Sequence, residues 1–287
     1  MLLYVLLVLL LIALIVYVII ESCGFRKVYY NISSEDYHGK PLKIVFLADL
    51  HNNNYGNDND SLIVSIDEFN PDIVIFGGDM VTSGWDISFD FSKTLIFIDK
   101  LAKKYPIYYA PGNHEQRFEC LKDRFPTEYD ELLNSLKLSG VNFLDNKRIK
   151  LNDFGVEIVG LKIPFACFKK INSNKLSTEQ IEELIGNVDK NMFSIMIAHN
   201  PSFFEEYAKW GANLVLSGHV HGGIVSLPLL GGVIAPGLKF FPKYDAGLFY
   251  ENQSLMVLTR GIGSHSMPIR IRNKAEIVCI NLEGTEE

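Results

Sequence analysis

Five short apolar segments of this chain each end on a polar residue that can bind a metal ion, and this pattern restricts the fold most. They alternate with amphipathic segments of helical periodicity, as in proteins whose buried sheets are flanked by helices. The predicted strands are Leu42–Ala48, Ile73–Gly77, Ile107–Ala110, Phe193–Ala198 and Leu214–Ser217. Ligands of α/β sheets bind beyond the carboxyl ends of the strands. The pattern therefore predicts an α/β fold with one polar site at these strand ends.

Other segments complete this prediction. Further strands are predicted at Val156–Leu161, Met256–Arg260 and Ala275–Asn281. Helices are predicted at Leu62–Phe69, Phe91–Lys104, Thr127–Leu138 and Ser177–Ile185, the last with a Ser/Thr cap. The stretch Gly222–Gly247 is rich in glycine, proline and aromatic residues and predicts a long loop.

The polar residues after the five strands form a candidate site. They are Asp49 and His51, Asp79, Asn113 with His114, His199, and His219 with His221. Five of the seven histidines lie in these segments. Residues two apart in extended chain point to the same side. Each motif alone is common in turns and caps, but their shared order and placement indicate a metal site. Imidazole, carboxylate and amide ligands without thiolate suit Mn, Fe, Zn or Mg.

The segments DLH, GGD, GNHE, HN and GHVH resemble, in order, the signature of the calcineurin-like metallophosphoesterases. The resemblance covers roughly residues 40–281. The stretches GHVHGGIVSLPLLGGVIAPGLKFFPKYDAGLFY and GIGSHSMPIRIRNKAEI are similar to a branch with an N-terminal membrane segment or export signal. That branch includes membrane-associated phosphodiesterases and hydrolases of UDP-linked diacylglucosamine.

The resemblance implies two mixed β-sheets packed as a sandwich with flanking helices. It also implies two divalent metal ions, with Mn favoured over Zn, Fe or Mg. One ion would take Asp49, His51, Asp79 and His221, and the other Asp79, Asn113, His199 and His219, with Asp79 bridging. His114 would be catalytic, donating a proton to the leaving group or stabilising charge on the phosphoryl oxygens. A metal-bound hydroxide would then attack a phosphomonoester, phosphodiester or lipid-linked pyrophosphate.

Two positions depart from related patterns. Met80-Val81-Thr82 follows the Gly-Asp motif, where the purple acid phosphatases carry a tyrosine, so no iron–tyrosinate centre is expected. Gly222-Gly223-Ile224 stands where a polar residue often follows the last histidine in this branch, so substrate contacts there are expected to differ.

The first twenty residues carry no charge and are almost entirely Leu, Ile and Val. A helix of this length spans about 30 Å, the hydrocarbon thickness of a bilayer. We therefore expect a single-pass anchor at 1–20, a juxtamembrane segment at 21–40 and a metallophosphoesterase domain at 41–287, located at the cell membrane. The alternative is a cleaved signal peptide, which favours a basic start and a shorter apolar core. Arg26 and Lys27 would place the domain in the cytoplasm. Two charges are too few to decide on which face of the membrane the domain lies.

Charge and cysteine content exclude some partners and sites. The formal net charge is −7, and none of it lies in the apolar segment. An acidic domain is a poor binder of nucleic acid backbones, so no nucleic acid partner is expected. The four cysteines show no CxxC spacing, which disfavours a zinc knuckle or a redox pair. The expected partners are a phosphate-ester substrate, with lipids among the candidates, and the bilayer, while the oligomeric state stays open.

Two other functions compete with a membrane phosphoesterase. One is a nucleotide diesterase or nuclease of the same chemistry, and the other is a non-catalytic metal-binding module. The loop Leu227–Tyr244 also has two interpretations, because it holds many apolar side chains together with Lys239 and Lys243. It either covers the sheet edge or forms a lip that holds an acyl chain or rests on the bilayer.

Overall fold

The computed structural model describes residues 1–84, 90–168, 175–223, 225–227, 231–235, 239–264 and 269–285. Its helices are α1 Leu2–Ser22, α2 Asp60–Phe69, α3 Ser92–Ala102, α4 Asn113–Cys120, α5 Glu128–Leu138, α6 Thr178–Ile185 and α7 Phe204–Trp210. Its strands are β1 Phe25–Ser34, β2 Leu42–Leu47, β3 Ile73–Phe76, β4 Ile107–Tyr109, β5 Asn142–Phe143, β6 Lys147–Leu151, β7 Val156–Leu161, β8 Phe193–Ala198, β9 Leu214–Ser217, β10 Ser226–Leu227, β11 Gly231–Gly232, β12 Ile234–Ala235, β13 Lys239–Phe240, β14 Gly247–Glu251, β15 Ser254–Leu258 and β16 Ala275–Gly284.

Two six-stranded mixed sheets form the centre of the molecule. The first has the order β1-β16-β2-β3-β4-β5, and the second has the order β14-β15-β9-β8-β7-β6. Strands β2 to β5 run parallel, as do β7, β8, β9 and β15. The antiparallel neighbours are β16 beside β2, and β6 and β14 at the edges of the second sheet. This arrangement confirms the predicted fold class.

Apolar side chains fill the space between the sheets and cover both outer faces. Phe46 and Ile75 of the first sheet and Ile195 and Leu216 of the second belong to one buried cluster between them. A second cluster joins the first sheet to helices α2, α3 and α5. A third cluster joins the second sheet to α6 and α7. Continuous runs of β-branched residues suit central strands that are buried on both faces, and this explains why these strands form as predicted.

The predicted juxtamembrane segment contains a strand that the sequence did not reveal. β1 pairs with β16 in parallel register over ten residues, from Phe25 opposite Ala275 to Ser34 opposite Gly284. It lies at the edge of the sheet, and its residues alternate between exposed and partly buried. Edge strands keep polar residues on one face. The sequence of β1 is therefore difficult to distinguish from that of a linker. The domain start at residue 41 stays a prediction, but β1 belongs to the first sheet by pairing.

The predicted long loop contains two small hairpins, β10 with β11 and β12 with β13. Within it Leu227 and Phe241 are exposed, whereas Tyr244 is buried. Leu229, Leu230 and Leu238, which the lip prediction uses, lie outside the described residues, as do the side chains of Ile234, Lys239 and Phe240. Helix α1 has 21 residues, and an 18-residue stretch of it has a mean hydropathy of 3.4 with none of that stretch buried. It is long and apolar enough to cross a membrane, by length and composition.

Candidate metal centre

The structure brings Asp49, His51 and His221 together between the ends of β2 and β9. Their ligand atoms lie within 4.8 Å of one another. The Nε2 atoms of His51 and His221 are 3.2 Å apart, and Asp49 Oδ1 lies 3.8 Å and 3.5 Å from them. Two imidazole nitrogens and a carboxylate oxygen that converge in this way can hold one cation.

A second group forms beside the first and contains Asp79, His199 and His219. Their ligand atoms also lie within 4.8 Å of one another. His199 Nε2 is 3.1 Å from Asp79 Oδ2, and the rings of His199 and His219 are 5.1 Å apart. Asp79 Oδ2 is also 3.9 Å from His51 Nε2, so its carboxylate lies between the two groups. This placement matches a carboxylate that bridges two ions.

Several of these residues occupy left-handed backbone. The φ angles are 58° at Asp49, 51° at His51, 53° at Asp79, 72° at His219 and 52° at His221. Left-handed backbone costs a residue other than glycine about 1–2 kcal/mol. The turns after β2, β3 and β9 therefore hold the side chains in an arrangement that the isolated chain would not favour.

Two glycines allow the ligand-bearing turns to pack closely. A Cβ atom on Gly112 would lie 2.3 Å from Asp79 Oδ1, and one on Gly218 would lie 2.5 Å from Asp49 Oδ2. Any side chain at these positions would push a carboxylate out of place. The carboxylates are also held by backbone donors, since the His219 amide donates to both oxygens of Asp49 and the His114 amide donates to Asp79 Oδ1.

Two buried polar atoms of the centre indicate that a cation fits it. Within the described residues, Asn113 Oδ1 is buried and has no hydrogen-bond partner, and the buried His199 Nε2 meets no group in hydrogen-bonding geometry although Asp79 Oδ2 lies 3.1 Å away. His199 Nδ1 donates to the Gly77 carbonyl oxygen at 2.7 Å, which leaves the lone pair of its neutral ring on Nε2. Since a buried polar atom without a partner is costly, these two lone-pair donors have the chemistry and placement that would fit ligands of metal ions.

The pKa shifts in the centre reflect how closely its buried carboxylates and histidines are packed. Burial raises the pKa of Asp49 to about 7, with the Asp79 carboxylate adding to the effect and His199 opposing it. Burial alone would raise the pKa of Asp79 as well, but the neighbouring histidines outweigh it and hold that pKa well below its usual range. Burial lowers the pKa of His199, yet Asp79 and Asp49 raise it to about 10. A proton on His199 therefore offsets part of the negative charge of the two carboxylates.

His114 faces the same centre and has a defined tautomer. Its Nδ1 accepts a hydrogen bond from the Ser83 backbone amide at 2.9 Å. The Ser83 hydroxyl donates to the His114 carbonyl oxygen at 2.8 Å. Because Nδ1 is an acceptor, the proton of the neutral ring is on Nε2. The ring lies edge-on to His51 at 4.8 Å and is only 3% exposed, so its donor is placed close to the ligand groups.

Glu115 is a structural residue of the site that the sequence prediction did not include. Its buried carboxylate accepts hydrogen bonds from the amides of Gly112, Asp79 and Met80 at 2.8–2.9 Å. The Tyr109 hydroxyl donates to it at 2.6 Å. Burial and the Asp79 charge raise the pKa of Glu115, and these hydrogen bonds offset part of the shift. Glu115 lies three residues after Gly112, which is the spacing of a capping box. This spacing is the sequence feature that could have identified Glu115.

The comparison with protein families agrees with this geometry. The calcineurin-like phosphoesterase profile matches residues 42–223, which covers every strand end that carries a candidate ligand. The chain belongs to the calcineurin-like phosphoesterase family. Membership makes it a metal-dependent phosphoester hydrolase, as the sequence predicted.

Three curated members of the family show how far the similarity extends. Phosphodiesterase YaeI of Escherichia coli (strain K12) is 26% identical over 265 residues, covering 91% of this chain and 90% of that protein. Uncharacterized metallophosphoesterase YkuE of Bacillus subtilis (strain 168) is 26% identical over 249 residues, with coverage of 85% and 80%. A transmembrane protein with metallophosphoesterase domain from Danio rerio is 28% identical over 255 residues, with coverage of 84% and 53%. The family fold thus extends over most of this chain.

Proposed function

We propose that this protein is a membrane-anchored phosphoesterase with two metal ions, which hydrolyses phosphomonoester, phosphodiester or lipid-linked pyrophosphate bonds. The observation that carries the proposal is the position of Asp79, whose carboxylate lies between two groups of ligand atoms. One ion would be held by Asp49, His51, Asp79 and His221, and the other by Asp79, Asn113, His199 and His219. The mixed oxygen and nitrogen donors suit Mn, Fe, Zn or Mg, and the family resemblance favours Mn among them.

Bound in pairs, such cations activate water and neutralise charge on phosphoryl oxygens. The chain supplies the positioning. The amides of His219 and His114 fix the two carboxylates, and the Gly77 carbonyl fixes the His199 ring. In this proposal His114 would donate its Nε2 proton to the leaving group or to a phosphoryl oxygen. Because phosphoryl transfer needs little covalent help from protein, positioning and charge are the main contributions.

Membrane attachment is the second part of the proposal. Its support is the unburied apolar helix α1 and the relative that is named as a transmembrane protein. The acidic net charge of −7 disfavours the alternative of a nuclease. The phosphodiesterase name of the Escherichia coli relative favours a diester among the candidate substrates.

The experiment removes the bridging carboxylate and measures metal. The purified Asp79→Ala variant should lose metal from both sites, while Asp153→Ala, which changes an exposed aspartate, should retain it. Elemental analysis of both variants gives the result. Unchanged metal content in Asp79→Ala would refute the assignment of ligands.

A substrate panel then separates the reaction classes. Bis(p-nitrophenyl) phosphate, p-nitrophenyl phosphate and a lipid pyrophosphate are each assayed with added Mn. Hydrolysis that depends on Mn supports the phosphoesterase, and a metal-loaded protein inactive on all three would favour a non-catalytic module.

A further inference from the structure

The strand directions bring the end of α1 to the same edge of the first sheet as the metal centre. β2 ends at that edge, because Asp49 follows it directly. β16 is antiparallel to β2 and therefore begins at that edge, and β1, which is parallel to β16, begins there as well. Helix α1 ends at Ser22, three residues before the first residue of β1.

A short series of hydrogen bonds connects the end of α1 to the metal centre. The Ser22 hydroxyl accepts from the Arg270 amide at 2.9 Å. The Arg270 guanidinium donates to the Gly263 carbonyl at 2.7 Å, and the Gly263 amide donates to the Asp49 carbonyl at 2.7 Å. Arg270 and Gly263 thus connect the end of the helix to Asp49, a candidate metal ligand. Arg270 is 3% exposed, so this connection is part of the packed structure.

Aromatic contacts fix the start of β1 to the same turns. The rings of Phe25 and Tyr55 meet edge to face with centroids 5.1 Å apart, and the Tyr55 hydroxyl donates to the Ile262 carbonyl. No residue of α1 is buried, so the helix does not pack along the sheets. The helix therefore joins the domain at the edge where the metal centre lies.

The surface around this exit combines apolar and cationic side chains. Ile269 is 43% exposed, and Arg272, three residues further along the chain, is also exposed. The Lys274 ammonium lies close to Gly24, which follows the helix. It is 3.3 Å from the position that a Cβ atom on Gly24 would take. The Ser226 amide donates to the Ile271 carbonyl, so the exposed Leu227 lies beside this segment. Apolar residues that enter the membrane interface and cations that meet anionic headgroups both stabilise such a contact.

We propose that the catalytic edge faces the bilayer and that the substrate is a lipid phosphate ester whose headgroup lies in the adjacent leaflet. This inference rests on the proposed phosphoesterase function and on its membrane attachment. A helix of 21 residues crosses the hydrocarbon layer and brings Ser22 to the headgroup level. The turns around Asp49 then lie at the level of the lipid phosphates.

The orientation is tested without using activity. The full chain is placed in phosphatidylcholine–phosphatidylglycerol nanodiscs that contain spin-labelled lipid, with the two exposed cysteines, Cys23 and Cys120, changed to serine. A fluorophore is attached at Ile269→Cys or at Gln253→Cys, which lies in the exposed turn between β14 and β15 at the opposite edge. The proposal expects strong quenching at position 269 and little at position 253. Equal quenching, or stronger quenching at 253, overturns it.

The substrate class is tested with two esters that share one leaving group. Hexadecyl p-nitrophenyl phosphate in the nanodisc is compared with methyl p-nitrophenyl phosphate in solution. The lipid-like ester should be favoured in kcat/KM by at least about tenfold, an effect of local concentration. Ten Gly/Ser residues inserted after Gly24 give about 17 Å of flexible chain and should remove this preference, whereas the same insertion after Gln253 should preserve it.

The outcomes separate the two proposals. If the ratio of kcat/KM between the two esters is near one, or if the spacer after Gly24 leaves that ratio unchanged, the lipid inference is wrong. Neither result contradicts the phosphoesterase function. Absence of hydrolysis of both esters, of p-nitrophenyl phosphate and of the lipid pyrophosphate by the metal-loaded chain overturns the phosphoesterase, and the quenching result still decides which edge faces the bilayer.

Discussion

At the scale of single residues, His114 is the side chain whose loss should separate metal binding from turnover. It contributes a donor through Nε2, because the Ser83 amide occupies Nδ1. His114→Ala should keep its metal and lose turnover by about 10²–10⁴, the usual effect of removing a general acid. The loss should be smaller with p-nitrophenyl esters, whose leaving group needs less protonation.

The control for this variant is His38→Ala, because His38 is exposed and precedes the start of β2, at the opposite end of that strand from the site. Steady-state rates on an alkyl ester and on a p-nitrophenyl ester, with metal analysis of the same samples, measure the effect. Normal turnover of His114→Ala on the alkyl ester would contradict the assigned role.

Glu115 should affect stability more than chemistry. It is fully buried and accepts from backbone amides of two separate turns and from Tyr109. Glu115→Ala leaves these donors without partners and should lower the free energy of unfolding by about 2–4 kcal/mol. Glu183→Ala, an exposed position on α6, should change it by less than about 0.5 kcal/mol. Urea unfolding of both variants decides, and equal midpoints would contradict the role of Glu115.

The candidate ligands and Glu115 differ in how visible they are in the sequence. Asp49, Asp79 and His199 directly follow runs of apolar residues or a glycine, so their position at a strand end can be read from the pattern. The role of Glu115 depends on which backbone amides donate hydrogen bonds to its carboxylate. The spacing of residues in the sequence does not show this. The tautomer of His114 depends in the same way on Ser83, a residue with no strand-end signal.

At the scale of elements, central strands were predictable and edge strands were not. β8 and β9 have the predicted bounds, Phe193–Ala198 and Leu214–Ser217, because each is buried along its full length. The predicted cap of α6 is confirmed, since Ser177 accepts from the Gln180 amide. The edge strand β1 and the short helix α7 were missed. Edge strands are only half buried, and a helix of seven residues shows too few turns for its periodicity to be recognised.

The pairing of β1 gives a prediction for two truncations. Deleting residues 1–20 removes only α1 and should leave a soluble, active domain. Deleting residues 1–40 also removes β1, exposes the edge of β16, and removes Tyr37, which is 1% exposed and packs on Phe193. The longer deletion should aggregate or unfold at a lower temperature. Size-exclusion chromatography and thermal melts compare the two, and equal stability would show that β1 is dispensable.

At the scale of the whole molecule, the apolar helix and the acidic domain should behave as one membrane-bound unit. The full chain should pellet with membranes and resist extraction by salt and by alkali, because a spanning helix is held by the hydrocarbon layer rather than by charge. The chain without residues 1–20 is the matched control and should stay in the supernatant. Release of the full chain by alkali alone would indicate peripheral attachment or a cleaved signal.

The left-handed backbone at five candidate ligands has a consequence for how this site can change over generations. Valine or isoleucine at Asp49, His51, Asp79, His219 or His221 would add steric strain to a turn that already has a positive φ. Glycine, asparagine and aspartate tolerate that backbone. A lineage that lost the chemistry but kept the fold would therefore drift toward these three residues. A random library at His221 selected for folding alone should show the same bias, and enrichment of β-branched residues would contradict it.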